Sequence, residues 1–150
     1  MHKIVLSVLA GAALAGSAMA ETVAPADVVY EEGAVAASLT GVAGDAAKGK
    51  DWFVGRKLGN CLACHVNADA SDHTFHGEVG PPLDGVGDRW GEAELRGIVA
   101  NSKMTFDGTI MPAFYKATGY TRNRDEFEGK TILTAQQIED IVAYLLTLKE

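Results

Sequence analysis

The stretch "GNCLACHVNA", residues 59–68, holds both cysteines of the 150-residue chain, Cys61 and Cys64, with His65 directly after the second. Two thiols three positions apart admit several chemistries. In an oxidising compartment they close a disulfide or work as a dithiol redox centre; with further ligands they hold zinc. The neighbouring imidazole and the rest of the chain decide among them.

The compartment is read from the first twenty residues, "MHKIVLSVLAGAALAGSAMA". Lys3 precedes an apolar run that ends in the small-residue pattern Ala18-Met19-Ala20, the layout of a secretory signal peptide cut before Glu21. The run from Ile4 to Ala15 is too short and too rich in Ala and Gly for a span of about 20 residues. The expected mature chain, 21–150, therefore works in a bacterial periplasm, without a membrane span. Losing Lys3 takes the formal charge from −7 to −8. Nucleic acid is excluded as a partner, because phosphate binding needs a basic footprint. With 47% hydrophobic and 22% charged residues the chain reads as one globular domain.

Structural zinc wants four ligands, and beyond Cys61, Cys64 and His65 the mature chain offers only His73 and His76, with no second cysteine pair. A thioredoxin-like centre needs a strand–helix–strand setting, and strand signals here are weak. C-x-x-C-H is instead the attachment motif of c-type haem, with two thioethers to the porphyrin vinyl groups and the histidine left for the iron. On one helical turn both sulfurs reach neighbouring vinyls while the imidazole rises over the metal.

Two further stretches supply what such a group requires. In "GPPLDGVGDRW", 80–90, Pro81 and Pro82 fix the backbone and lack N–H groups, so a carbonyl there is free to accept from Nδ1–H of His65 and set its tautomer. In "GTIMPAFYK", 108–116, Met111 precedes Pro112 and is pushed into an extended conformation that projects its thioether. Thioether opposite imidazole is the ligation that raises a haem's reduction potential. Met104 is the competitor; it lies at the end of an expected helix, Glu92–Ser102, with no proline beside it, and reads as packing. His73 and His76 read as exposed loop residues. Arg89 and Trp90 are candidates for holding a haem propionate, with an exposed loop residue the alternative for Arg89.

The remaining pattern is helical. Asp45 caps a predicted helix through about Leu58, with Ala46, Gly49, Lys50 and Phe53 on one face. The span 134–149 opens with a capping box, Thr134 with Gln137, and carries Ile138, Ile141, Val142, Leu145 and Leu148 on one stripe. Gly49 inside a helix costs about 1 kcal/mol relative to Ala. That calls for a close crossing, with Tyr144 lying against it. The expected fold is all-α, and a haem would supply much of the apolar mass that so small a core lacks.

Taken together, "GNCLACH", "GPPLDGVGDRW", "LRGIVANSKMTFDGTIMPAFYK" and "GKTILTAQQIEDIVAYLLTLK" resemble class I cytochrome c, over nearly all of the chain from about Gly41 to Lys149. The resemblance is closer to the SoxX family, the small monohaem subunits of the SoxAX cytochromes of bacterial sulfur oxidation. It implies one covalent haem c on Cys61 and Cys64, axial ligation by His65 and Met111, and a helical domain over 44–150 preceded by an extension, 21–43. It further implies a SoxA partner with the catalytic haem, at which thiosulfate is joined to a cysteine of the SoxYZ carrier. This chain would then be the non-catalytic electron-transfer subunit of an L-cysteine S-thiosulfotransferase, passing electrons to a soluble cytochrome c. A freely diffusing periplasmic carrier would share every haem feature. The extension has apolar residues, Val28, Val29, Tyr30, Val35 and Leu39, beside Glu31 and Glu32, and is expected to pack against the partner.

No other thiol exists to substitute, so Cys61→Ala or Cys64→Ala leaves one thioether and the double variant none. Mass spectrometry of the exported chain should find the mass of one haem added; two free thiols or a disulfide would end this reading.

Overall fold

The computed structural model describes residues 21–150; the expected signal peptide, 1–20, lies outside the described residues. Among the described residues four α-helices carry the fold: α1 (Ala46–Val54), α2 (Val86–Arg89), α3 (Glu92–Asn101) and α4 (Ala135–Leu145). Short 3-10 turns at Cys61–Ala63, Ala68–Ala70, Ser102–Met104 and Asp125–Phe127 punctuate the connections. Among the described residues, extended pairing is limited to one bridge between Glu31 and Ala34.

α1 starts where the Asp45 carboxylate accepts from the Ala47 and Lys48 amides at 3.0 and 3.2 Å. It stops at Val54 rather than near Leu58, because Gly55 leaves helical angles and the next residues turn back, with Gly59 buried against the Trp52 carbonyl. α4 opens on the reciprocal cap: Gln137 N–H donates to Thr134 Oγ1 at 3.2 Å and Thr134 N–H to Gln137 Oε1 at 2.8 Å. Ile138, Ile141, Val142, Leu145 and Leu148 are all buried. The helix ends at Leu145, and its following turn is tied down by Gly87 N–H on the Leu148 carbonyl at 2.9 Å.

α1 crosses α4 over Gly49. A Cβ on Gly49 would lie 1.9 Å from the Asp140 carbonyl oxygen and 2.8 Å from Tyr144 Cβ, so only glycine permits this approach. Phe53, on the same face, meets Tyr144 edge-on at 5.3 Å. Asp140, buried in α4, accepts from the Asp45 amide at 2.9 Å and from Trp52 Nε1 at 3.3 Å, so one carboxylate serves both ends of α1.

The extension buries part of its apolar surface at home and leaves Val29 71% exposed. It lies on its own domain as a strap, with Val35 and Leu39 in the core. Val35 N–H donates to the Ala93 carbonyl at 2.9 Å, and Gly97 of α3 packs so closely on Gly33 that a Cβ would sit 1.9 Å from its carbonyl oxygen. What draws the strap in is a buried ion pair. Arg96 on α3 and Glu139 on α4, 2% and 4% exposed, meet through Nε at 3.0 and 3.1 Å. Their remaining groups are satisfied by the strap: Arg96 Nη1 donates to the Val35 carbonyl at 2.9 Å and Leu39 N–H donates to Glu139 Oε1 at 2.6 Å. Arg96 also pairs with Glu92 one turn earlier.

Removing one partner of a buried pair strands the other charge at about 3–5 kcal/mol. Glu139→Leu should therefore lower stability by about that amount in urea unfolding, with buried Arg96 left only the exposed Glu92 as a charged partner. A loss under about 1 kcal/mol, the scale of a surface ion pair, would show that the pair is not buried in solution.

Candidate haem site

The segment 61–65 is a single tight turn. Asn60 enters it in the left-handed region at φ 50°, a conformation that asparagine tolerates better than most residues. Cys64 and His65 amides then both turn back onto the Cys61 carbonyl, at 3.1 and 3.0 Å. The two sulfurs and the imidazole thus leave one turn of backbone, half-buried, while Leu62 between them is in the core. Burial pushes the Cys61 thiol up to about 12. A redox dithiol needs the opposite, a thiol whose acidity is increased. Among the described residues no three His, Cys, Asp or Glu side chains converge on a metal-sized site, so the zinc reading has no ligand set to stand on.

The turn is gripped by the segment after it. Gly77, Gly80 and Leu83 amides donate to the Leu62, Cys64 and Val66 carbonyls at 2.7, 2.7 and 2.9 Å, so alternate carbonyls of the attachment stretch are all met. Two glycines make the approach possible: a Cβ on Gly77 would lie 2.0 Å from the Ala63 carbonyl oxygen, and one on Gly80 would lie 2.3–2.8 Å from the ring atoms of His65. Gly80 is therefore a flat wall against the imidazole. The ring's other constraint is Pro81, whose carbonyl oxygen is 2.7 Å from Nδ1. That contact makes Nδ1 the protonated nitrogen and leaves Nε2 as the lone-pair nitrogen.

Arg89 braces this loop. Its Nη1 and Nη2 donate to the Asp84 and Pro82 carbonyls at 2.6 and 3.0 Å, so the guanidinium holds the backbone on which Pro81 sits. Trp90 stands edge-on to Phe106 at 6.0 Å. Behind the attachment turn the loop 67–76 is fixed by Tyr144, which accepts from the fully buried Asn67 amide group at 2.9 Å and donates to Asp69 at 2.7 Å. The Tyr144 hydroxyl and then Lys50, 3.0 Å away, hold the Asp69 carboxyl below its ordinary range. This link stabilises the fold above the usual carboxylate pKa and is lost as pH falls through the lowered one. His76 belongs to the same loop and is not free: it accepts from the Asn67 amide at 3.3 Å and its other nitrogen lies 3.1 Å from the Ala70 carbonyl. His73 is exposed beside Asp72.

The two methionines are placed differently. Met104 is in the 3-10 turn after α3 and is 50% exposed, whereas Met111 is half-buried against the apolar core. The backbone around Met111 has no regular structure and is held by side chains. Ser102 Oγ donates to the Met111 carbonyl at 2.9 Å and Lys103 Nζ also reaches it; Lys103 donates to the Thr109 carbonyl at 2.9 Å, and Tyr120 to the Ala113 carbonyl at 2.9 Å. Carbonyls before, at and after Met111 are thus capped. Sequence reasoning named Met111 but missed these partners. Ser102 and Lys103 gave no signal, because nothing local marks a side chain that will bond nine residues on.

The donor set fits a covalent haem: two thiols on one turn, an imidazole of fixed tautomer backed by a glycine wall, and a half-buried thioether on a braced loop. When bound, the haem supplies one-electron chemistry at its iron. The cytochrome c family profile matches residues 46–149. No curated protein matches the chain. Among solved structures, a chain of SoxXA from P. pantotrophus is 57% identical, with 85% of this chain and 98% of that one covered and a TM-score of 0.80. Ferric cytochrome c-550 from Paracoccus versutus is 23% identical over 71% of this chain and 99% of that one, at a TM-score of 0.40. Cytochrome c2 from Paracoccus denitrificans is 24% identical over 71% and 97%, at 0.36. Neither of these two bears on the argument at such scores. The chain is an all-α electron-transfer cytochrome with covalent haem c: it belongs to the cytochrome c family and, within it, is of the SoxX type.

Proposed function

We propose that this chain is the electron-relay subunit of a periplasmic SoxAX complex. The observation that carries the reading is the 57% identity to a chain of SoxXA across 85% of this sequence, together with a single attachment motif. In this reading the partner is a SoxA-like cytochrome that holds the catalytic haem. Thiosulfate is conjugated there to a SoxYZ cysteine, and a soluble cytochrome c accepts the electrons. The assembly is an L-cysteine S-thiosulfotransferase, to which this chain brings no catalytic residue, since both its thiols are used in attachment. Residues 44–150 form the haem domain, with 21–43 strapped onto it.

Within the domain, Cys61 and Cys64 would anchor the haem, and His65 Nε2 and the Met111 sulfur would hold its iron. Pro81 keeps the proton on Nδ1 and so keeps Nε2 available; Gly80 and Arg89 hold the ring and the loop in place. With both ligands in place the iron would offer no open position to substrate, and the braced ligand loops would let it supply one-electron chemistry with little movement of this chain's atoms.

Replacing Met111 with alanine should lower the reduction potential, abolish the far-red charge-transfer band of a ferric thioether–iron bond and open the ferrous iron to carbon monoxide; the same change at exposed Met104 should do little. The reverse result would move the assignment to Met104. For the assembly, the mature haem-loaded chain used as bait in a thiosulfate-oxidising host should retain a larger c-type cytochrome through gel filtration. Elution alone as a monomer would favour the freely diffusing carrier.

A further inference from the structure

The segment that carries Met111, residues 105–116, has neither helix nor strand to hold it. Two of its restraints come from the far end of the chain. Tyr115, four residues beyond Met111, donates its hydroxyl to the Val23 carbonyl at 2.7 Å, and Thr105, at the start of the segment, lies 3.5 Å through Oγ1 from the Gly33 carbonyl. The second contact is tight. Gly33 sits at φ +88°, and a Cβ there would be 2.5 Å from Thr105 Oγ1 and 3.0 Å from the Met104 carbonyl oxygen. The strap thus touches the loop at both ends and leaves Met111 between them.

The strap is also anchored. Val23 N–H donates to the Leu39 carbonyl at 2.8 Å, and Leu39 N–H is on the buried Glu139 carboxylate. On the other side the Tyr115 ring is only 4% exposed, and its amide is bonded to the Ala100 carbonyl of α3 at 2.9 Å. A hydrogen bond made by a buried ring of fixed direction constrains the backbone that bears it. Ser102, Lys103 and Tyr120 hold the loop from within the domain, and the Tyr115 bond to Val23 is the shorter of its side-chain ties to the strap, so losing it should change how often the loop opens.

We propose that residues 21–40 are a positioning strap for the Met111 loop, acting through Tyr115, and that they set the fraction of molecules in which the sixth iron position is closed. The proposal rests on Met111 as the axial ligand. Tyr115 is a positioning residue: it acts on the loop and not on the iron.

The test uses the mature haem-loaded chain. Tyr115→Phe keeps the ring and removes the donor; a chain beginning at Pro25 removes the acceptor on Val23; a third protein combines both. Carbon monoxide binding to the ferrous form and the far-red thioether band of the ferric form are measured for each. One hydrogen bond is worth enough to raise the open population, and with it the apparent carbon monoxide affinity, roughly fivefold. Each single change should do so, with the band weakened in step; the truncation also loses the Val23 amide bond to Leu39, so the combination should go no further than the truncation alone, where the Tyr115 bond is already absent. Unchanged carbon monoxide affinity in Tyr115→Phe, even with a lower urea midpoint, would overturn the proposal, as would effects that multiply in the combined protein. Met111→Ala separates the two readings. If the band survives in that variant the ligand assignment fails and the strap proposal with it; if the band is lost there while Tyr115→Phe behaves as the unaltered chain, the strap proposal alone fails.

Discussion

The contact between α1 and α4 at Gly49 is the constraint on which the rest is hung. With the Asp140 carbonyl where a side chain would stand, the helices meet backbone to backbone, and the groups around the crossing fall into reach. Asp140 then serves Asp45 and Trp52 at either end of α1, and Tyr144 extends past Phe53 to Asn67 and Asp69. The attachment turn sits between these points, after α1 and before the Asn67 loop. Its position is fixed on both sides before any cofactor is considered.

A second layer ties the Met111 half of the domain to this crossing. Glu139 is the residue before Asp140 on α4, so the helix that meets α1 also carries the carboxylate that Arg96 of α3 and the strap both require. Burying two charges is costly unless every remaining donor and acceptor is satisfied. Here the strap's own backbone supplies those partners through the Val35 carbonyl and the Leu39 amide. The extension is accordingly part of the domain. Its apolar residues Val35 and Leu39 complete the core beside the ion pair.

At the site itself, restraint is supplied by carbonyl groups more than by charge. The attachment turn offers the carbonyls of Leu62, Cys64 and Val66 to the amides of the following segment, and the imidazole is held by that of Pro81. Around Met111 the arrangement is inverted, with side chains donating to loop carbonyls. The backbone around His65 and around Met111 is therefore held by hydrogen bonds, most of them from other residues. That is the requirement of an electron carrier, whose ligands should stay where they are in both oxidation states.

Much of this was written locally. The C-x-x-C-H turn, the Thr134–Gln137 cap, the apolar stripe of α4 and the need for a close crossing at Gly49 are each set by residues within a turn or two of one another, where spacing alone fixes which side chains share a face. From them the sequence by itself determined an all-α domain built around one covalent haem. The tertiary structure decided the rest. Arg96 and Glu139 look like solvated helix charges until two helices and the strap enclose them; Gly77 and Gly80 look like loop glycines until the Ala63 carbonyl and the His65 ring stand where a Cβ would be. The same holds for the strap, whose Val35 and Leu39 enter the core of its own domain, and for Ser102 and Tyr115, whose partners lie 9 and 92 residues away. Their roles depend on contacts between segments distant in the chain, and a local pattern carries no record of which distant group will arrive.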